Sequence, residues 1–189
     1  MHSLQTRLGL VMGVVLLVQS GWAGAQVQVG ALRIPPFQGT SFSDQTVKLP
    51  EDLRGKVGVL VVGFTHASQD AVGGWGKRLA ADYQDSPGVV YYEMPVLAGA
   101  PRLIRGMIAG KIKGSLPDPV KPHFVPILEN QAGWQAVANY KSGDDAYVMV
   151  VDGQGVVRWQ TREAVSDAAY ARLRQQLDTA RTGVTHPAQ

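Results

Sequence analysis

Apolar runs in the first half of the chain predict two buried strands on either side of a helix. Val57–Phe64 is a continuous run of β-branched and other apolar residues, as is typical of a strand covered on both faces. Val89–Met94 is a second run of this kind. Between them the pattern predicts a helix that Ser68 caps and that ends near Tyr83. This order indicates a parallel β-α-β unit, with a short edge strand at Thr46–Pro50 before it.

The last third of the chain predicts a hairpin and a closing helix. Ala146–Asp152 and Val156–Gln160 are strand segments joined by a glycine-containing turn. Asp152 is expected to begin that turn by bonding nearby backbone amides. A helix is predicted from Ser166 to about Arg181. One face of it carries an apolar stripe formed by Ala169, Leu173 and Leu177.

The region between these halves is less regular. Residues 102–112 have the apolar spacing of a helix, with cations on its other face. Gly114–Pro126 holds four prolines and is predicted to be a loop or an extended insertion. For Trp134–Tyr140 the pattern leaves a short helix and a strand equally open. The chain therefore predicts one α/β domain with a Pro-rich segment inserted in its middle.

The first 25 residues have the pattern of a secretory signal peptide. Arg7 precedes an apolar run from Leu8 to Val18, and a small-residue cleavage pattern ends at Ala25. The run is too short for a comfortable membrane span of about 20 residues. We therefore predict cleavage after Ala25 and a soluble periplasmic or secreted domain over residues 26–181, with a disordered tail at 182–189. An uncleaved, membrane-tethered chain is the alternative.

Composition excludes several kinds of chemistry. The chain has no cysteine among its 189 residues, so thiolate nucleophiles, redox dithiols and cysteine-ligated metal sites are not available to it. Removal of the predicted signal peptide takes Arg7 and no acidic residue, which lowers the net charge from +3 to about +2. Because the cations are also spread along the chain, nucleic-acid binding is not expected.

Two blocks of sequence carry a family resemblance. Leu49–Val57, followed by the strand that ends at Gly63-Phe64-Thr65, resembles the opening of peroxiredoxin-like and TlpA-like domains. Tyr147–Trp159 resembles the hairpin of the same superfamily, a valine-rich strand followed by Asp, Gly and a second strand. The resemblance implies a thioredoxin-like three-layer α/β/α fold with a β-α-β half, an inserted Pro-rich segment, a C-terminal β-hairpin and a final helix.

The resemblance also shows where this chain departs from the superfamily. The positions that match its reactive cysteines are Gln69 and Val72, and the position of its cis-proline falls near Ala146. A non-redox member is therefore implied. Among cysteine-free groups, the chain is similar to the family of a mitochondrial ATP synthase assembly factor and to the periplasmic YtfJ group, on the hairpin that ends in Val157-Arg158-Trp159. The first implies a chaperone-like function, and the second a small periplasmic protein.

The strand-to-helix corner is the candidate site for catalysis. Thr65, His66 and Ser68 lie where this fold keeps its active site, and a histidine beside two hydroxyls could form a base and nucleophile. In the other interpretation, Ser68 only caps the helix and His66 is a polar loop residue. A metal site from His66, His123 and one of Asp144, Asp145 or Asp152 has no supporting ligand spacing, and we expect no metal and no cofactor.

The stretch from Arg102 to Lys121 is the candidate binding surface. It combines apolar residues with cations opposed only by Asp118, and it could meet an anionic membrane surface or an acidic partner segment. The candidate partner-binding residues are Arg102, Arg105, Met107, Ile108, Lys111 and Lys113. Alternatively, this is a surface helix that packs Leu103, Met107 and Ile108 on the sheet.

We therefore expect an exported binding or assembly module of the cell envelope, whose partner is another envelope protein. The alternatives are a hydrolase-type or other non-thiol enzyme at the Thr65 corner and a purely structural envelope protein. The sequence leaves the oligomeric state open.

Overall fold

A computed structural model describes residues 31–184 of the chain. The predicted signal peptide and the last five residues of the predicted tail lie outside the described residues.

The predicted strands and helices occur in the described chain in the predicted order, together with elements that were not predicted. The strands are β1 (Phe37–Thr40), β2 (Thr46–Leu49), β3 (Val57–Gly63), β4 (Val89–Pro95), β5 (Ala146–Val151) and β6 (Val157–Thr161). The α-helices are α1 (Gln69–Tyr83), α2 (Arg102–Ser115), α3 (Gln131–Val137) and α4 (Asp167–Val184). Short 3-10 helices cover Glu51–Leu53, His66–Ser68 and Asp118–His123.

Four strands form the central mixed sheet in the order β4-β3-β5-β6. β3 is parallel to β4, in a register from Val57 opposite Val89 to Gly63 opposite Pro95. β5 is antiparallel to both β3 and β6. All seven residues of β3 are buried, as expected for a strand with partners on both sides and layers on both faces. The predicted β-α-β unit and C-terminal hairpin are both confirmed.

Successive side chains of the sheet point into two separate cores. One core joins Val59 and Val61 of β3 to α1 and α4, with Trp75 and Leu173 fully buried between them. The other core lies on the opposite face and includes Leu60 and Trp134 of α3. Burial of one such apolar side chain contributes roughly 1.5–3 kcal/mol, so these two layers hold the sheet from both sides. The sheet thus has flanking helices in the α/β arrangement that the sequence predicts.

Three elements differ from the sequence expectation, and one region that the sequence left open is decided. The predicted edge strand at 46–50 pairs with an unpredicted strand, β1, in a separate two-stranded antiparallel sheet. The Pro-rich insertion contains a 3-10 helix at Asp118–His123, whose first turn accommodates Pro119 because an N–H at that position has no partner within the helix. The region left open at 134–140 holds the end of α3. α4 reaches Val184, so the first residues of the predicted tail are helical.

Asp152 organises the hairpin turn as predicted. Its Oδ1 accepts hydrogen bonds from the amides of Gln154 and Val156, both at 2.9 Å. Its Oδ2 accepts one from Arg158 at 2.7 Å. Burial alone would raise the pKa of Asp152, but these hydrogen bonds and the guanidinium outweigh burial and hold the pKa below its ordinary value.

Candidate functional site

Both candidate sites follow the carboxyl ends of two neighbouring strands, β3 and β4. Because β3 and β4 are parallel, their carboxyl ends lie side by side, and the amide of Val96 bonds the carbonyl of Gly63 at 2.8 Å. β3 leads into the corner at Thr65–Ser68, and β4 leads into α2. Loops at the carboxyl ends of sheet strands are where α/β folds usually place ligands. The sequence predicts its catalytic and partner-binding residues in these same two places.

At the corner, both hydroxyls are used to hold the backbone. Thr65 Oγ1 donates to the carbonyl of Gly143 at 2.7 Å and accepts from the amide of Ala67 at 3.1 Å. The buried Ser68 Oγ donates to the carbonyl of Thr65 at 2.9 Å. Ser68 occupies the N-cap position of α1 as expected, but its hydroxyl makes no capping hydrogen bond because it points back to Thr65, which caps the preceding 3-10 helix. His66 is exposed and makes no hydrogen bond with either hydroxyl.

The positions that match the missing cysteines are filled in different ways. Gln69 is the exposed first residue of α1. Val72 is buried one turn later and packs over Gly63, where an added methyl group would lie 2.8 Å from Val72 Cγ2 and 2.7 Å from Ser68 Oγ. Ala146 begins β5 and is buried, and the one cis peptide within residues 31–184 is Leu49-Pro50 instead. An apolar side chain thus closes the corner against the sheet.

Three aromatic rings support the corner from the other face. Phe64 lies 5.0 Å from Tyr140 and 5.3 Å from Tyr147, measured between ring centroids. The Tyr147 hydroxyl accepts from the amides of Lys141 and Ser142 and donates to the Ser142 carbonyl. Edge-to-face pairs of this kind stabilise beyond their buried area. The loop before β5, which receives the Thr65 hydroxyl, is therefore held in place.

α2 is held at the periphery of the domain, and none of its residues is buried. Leu103 is 98% exposed and Met107 is 59% exposed, while Ile108 is half-buried. The prediction that Leu103 and Met107 pack on the sheet is therefore wrong. Of the five large hydrophobic side chains that are exposed within the described residues, three belong to α2: Leu103, Ile104 and Met107.

Two cations tie α2 to the rest of the domain. Arg105 donates to the carbonyls of Ala98, Ala100 and Leu128 over distances of 2.5–3.0 Å. Lys113 pairs with Asp44 at 3.0 Å. These two predicted partner-binding residues therefore have roles within the fold. Arg102 and Lys111 are exposed and form no ion pair within residues 31–184.

The outward face of α2 also carries a row of glycines that the sequence interpretation missed. Gly106, Gly110 and Gly114 recur every four residues, so they lie on one side of the helix. A methyl group added at any of them would meet nothing within 4 Å beyond the helix itself. Each glycine lowers helix stability by roughly 1 kcal/mol relative to alanine. The spacing was visible in the sequence, but only the structure shows that this side faces solvent.

Glu93 is a second residue that the sequence interpretation missed. It belongs to β4 and faces α1, is only 4% exposed, and its Oε2 has no hydrogen-bond partner. Burial raises its pKa to about 8, so the carboxyl is mostly protonated at neutral pH. A methyl group added at Gly76 of α1 would overlap this carboxyl. The sequence offered one signal for a buried carboxyl at this position, because Glu93 is the single acid inside the apolar run 89–94.

Two other kinds of site find no support among the described residues. Within residues 31–184 no group of three His, Asp or Glu side chains could hold a metal ion. Over the same residues, no helix is long and apolar enough to cross a membrane.

Comparison with known proteins rests on structure alone. No family model matches the chain, and no curated protein sequence matches it either. The thioredoxin domain of a thiol-disulfide oxidoreductase from Bacteroides vulgatus is 15% identical, with a TM-score of 0.52 over 77% of this chain and 95% of that one. BsSco, a member of the Sco family of cytochrome c oxidase assembly proteins, is 16% identical, with a TM-score of 0.54 over 80% and 95%.

The fold is thioredoxin-like. A third neighbour, the exposed lipoprotein thioredoxin Etrx1 of Streptococcus pneumoniae strain TIGR4, is 11% identical, with a TM-score of 0.57 over 76% of this chain and all of that one. Identities this low show the thioredoxin-like fold and nothing about activity. The resemblance that the sequence predicts is confirmed at the level of the fold, and the likeness to the assembly-factor family and the YtfJ group stays a prediction.

Proposed function

We propose that this chain is an exported, non-redox thioredoxin-like protein that acts as a binding or assembly module in the cell envelope, with α2 as its interaction surface. The observation that carries the proposal is the outward face of α2, where Leu103 and Met107 are exposed on a helix that has no fully buried residue. Apolar groups that project together into solvent are typical of protein or membrane contact sites.

The corner supports a role other than catalysis. Thiol–disulfide exchange needs a thiolate, and this chain has no cysteine. An acyl-transfer or hydrolytic mechanism needs a nucleophile within hydrogen-bond reach of a base. The hydroxyls of Thr65 and Ser68 bond backbone groups, and His66 bonds neither of them. The hydrolase-type alternative therefore has no arrangement of side chains in its favour.

The neighbours show that this fold serves assembly and envelope proteins. BsSco belongs to a family of assembly proteins, and Etrx1 is an exposed lipoprotein. The N-terminal pattern that ends at Ala25 favours the same compartment for this chain. Together with the cysteine-free corner, these features support the proposal that this chain uses its thioredoxin-like fold to bind an envelope partner.

Photo-crosslinking in the native host tests the proposal. A crosslinking amino acid at position 103 or 107 of α2 is expected to capture the same protein reproducibly. The same group at Lys77, an exposed position on α1, is the matched control and should capture no such product. Absence of an adduct from α2, or equal adducts from α2 and Lys77, would show that α2 is not the interaction surface.

A complementation experiment separates binding from catalysis. If a deletion strain shows a defect, the double variant His66→Ala and Ser68→Ala should restore growth fully, because neither side chain has a chemical role. Met107→Asp, which places a charge on an exposed apolar position, should fail to restore it. The reverse outcome would favour an enzyme at the corner.

A further inference from the structure

We infer that the outward face of α2 receives one helix of a partner protein, and that this helix carries Asp or Glu on both sides of an apolar stripe. The inference rests on the proposed function of α2 as the interaction surface and names the chemistry of its partner. It is drawn from the charges, the exposed side chains and the shape of this one face.

All the charged residues of α2 itself are cations. No Asp or Glu occurs between residues 94 and 117. Arg102 lies on one flank of the exposed stripe and Lys111 on the other, and neither has an ion-pair partner in the part of the chain that the structure describes. Lys113 lies on the same side of the helix as Arg102 but about three turns further along, and it is paired with Asp44. A partner with acidic groups on both flanks is therefore complementary, whereas a basic partner is repelled.

The shape of the face fits a helix. Leu103 and Met107 project from its first half, and its second half presents Gly110 and Gly114 instead of side chains. Rows of residues spaced by four form the ridges and grooves through which helices pack, and a row of glycines leaves a groove in which a second backbone can approach closely. The two apolar side chains would pack beside the partner at one end of that groove.

The same shape argues against a lipid surface. A helix that lies in a membrane interface buries a continuous apolar face several ångströms into the lipid. Here the large exposed apolar side chains are confined to positions 103, 104 and 107, and the remainder of the outward stripe has glycine and lysine. A close-packed protein helix uses the glycines, whereas a bilayer gains nothing from them.

The crosslinked partner segment decides the inference. The adduct formed from position 103 or 107 in the native host is digested, and the attached peptide is identified by mass spectrometry. The expected peptide is a helical segment with an apolar stripe and at least two flanking acidic residues. A lipid adduct, a basic segment or an extended segment would overturn the inference while leaving α2 as an interaction surface. No adduct at all would overturn the proposed function with it.

Binding measurements add a test that depends on the glycines. The probe is a synthetic copy of the crosslinked segment, titrated into the full chain purified from cells that express it. Gly110→Ala is expected to weaken binding about tenfold, because its methyl group occupies the groove. Gly73→Ala is the matched control, since Gly73 of α1 is also an open helical position, and it should bind like the unchanged chain. Equal affinity for both variants would contradict the inference.

Two further measurements test the acidic residues of the partner and the membrane alternative. A second peptide with Asn and Gln in place of its Asp and Glu should bind at least fivefold more weakly at low salt. Vesicles of phosphatidylethanolamine and phosphatidylglycerol should not retain the full chain. Retention that is lost in the Met107→Asp variant would identify the membrane as the occupant and overturn the inference.

Discussion

The helices α1 and α2 contain three glycines each, yet their surroundings differ sharply. α1 has 15 residues and buries four of them against the sheet, while α2 has 14 residues and buries none. Gly76 of α1 lies directly on the Glu93 carboxyl, and Gly74 would bring a methyl group within 2.8 Å of Val165. The glycines of α2 face open space. Close contacts within the domain thus account for two glycines of α1, whereas no such contact accounts for the glycines of α2.

This difference shows how to interpret a glycine in a helix. A glycine that meets a neighbour at close range allows two elements of one domain to pack. A glycine at an open position destabilises the helix, and no close contact within the domain compensates for that loss. The glycine row of α2 therefore directs attention to a partner, and α1 supplies controls with the same residue type and secondary structure.

The largest expected effect comes from Gly76→Ala. The added methyl group overlaps the Glu93 carboxyl, so α1 must move away from β4 or the carboxyl must leave its site. We expect the free energy of unfolding to fall by about 3 kcal/mol or more, as measured by urea denaturation.

A second change tests the cause of that loss. Adding Glu93→Ala to Gly76→Ala removes the carboxyl that the methyl group overlaps, so the two effects should be strongly non-additive. Additive effects, or a Gly76→Ala variant as stable as the unchanged chain, would show that α1 does not depend on this close contact.

A pH-dependent effect is expected next from Glu93→Gln. Burial raises the pKa of Glu93 to about 8 from 4.5, so between these values the native state binds more protons than the unfolded state. Stability should therefore fall as pH rises through this range and then level off. Glutamine does not titrate, so the variant should gain roughly 4 kcal/mol relative to the unchanged chain between pH 5 and pH 9.

The neighbouring Tyr91 provides the control. Its hydroxyl is buried and has no hydrogen-bond partner, and burial raises its pKa far above the range tested. Tyr91→Phe should therefore change stability by the same amount at pH 5 and at pH 9. If Glu93→Gln and the unchanged chain have parallel stability curves, the carboxyl of Glu93 is not neutral in the folded state.

The sequence predicts the central fold well because its strands differ from everything around them. Val57–Gly63 and Ala146–Val151 are rich in β-branched residues, and burial on both faces requires such runs. The short strand β1 was missed because its four residues, Phe37–Thr40, include glycine and follow two prolines. Tertiary pairing with β2 decides its structure, and no local pattern reports that pairing.

The candidate surfaces were predictable only in part. Periodicity shows that Leu103 and Met107 share a face of a helix, but it does not show whether that face is covered. Arg105 was predicted to bind a partner because it is a cation in a basic stretch. It instead bonds three carbonyls, two from the loop before α2 and one from Leu128, 23 residues later. Contacts over such distances in sequence follow from topology.

The next effect is local and concerns Arg105→Ala. Loss of three charge-assisted hydrogen bonds should release α2 while leaving the two cores intact, because α2 buries none of its residues. We expect amide hydrogen exchange in α2 to become about thirtyfold faster, with little change in the global unfolding free energy.

Arg105→Lys should not restore protection from hydrogen exchange. A single ammonium group lacks the planar, forked guanidinium whose nitrogens reach three carbonyls. Arg102→Ala, at an exposed position of the same helix, should leave exchange unchanged. Equal exchange rates in Arg105→Ala and the unchanged chain would mean that other contacts hold α2.

The smallest expected effect makes the sharpest comparison between the helices. Gly73→Ala in α1 and Gly110→Ala in α2 each add a methyl group that meets nothing. Both should therefore raise the free energy of unfolding by about 0.5–1 kcal/mol, which thermal unfolding can measure. If Gly110→Ala instead destabilises the purified chain, its glycine has an internal role and the contrast between α1 and α2 fails. If both variants are stabilised and only Gly110→Ala loses the crosslinked partner, this glycine can be explained only by a contact outside the molecule.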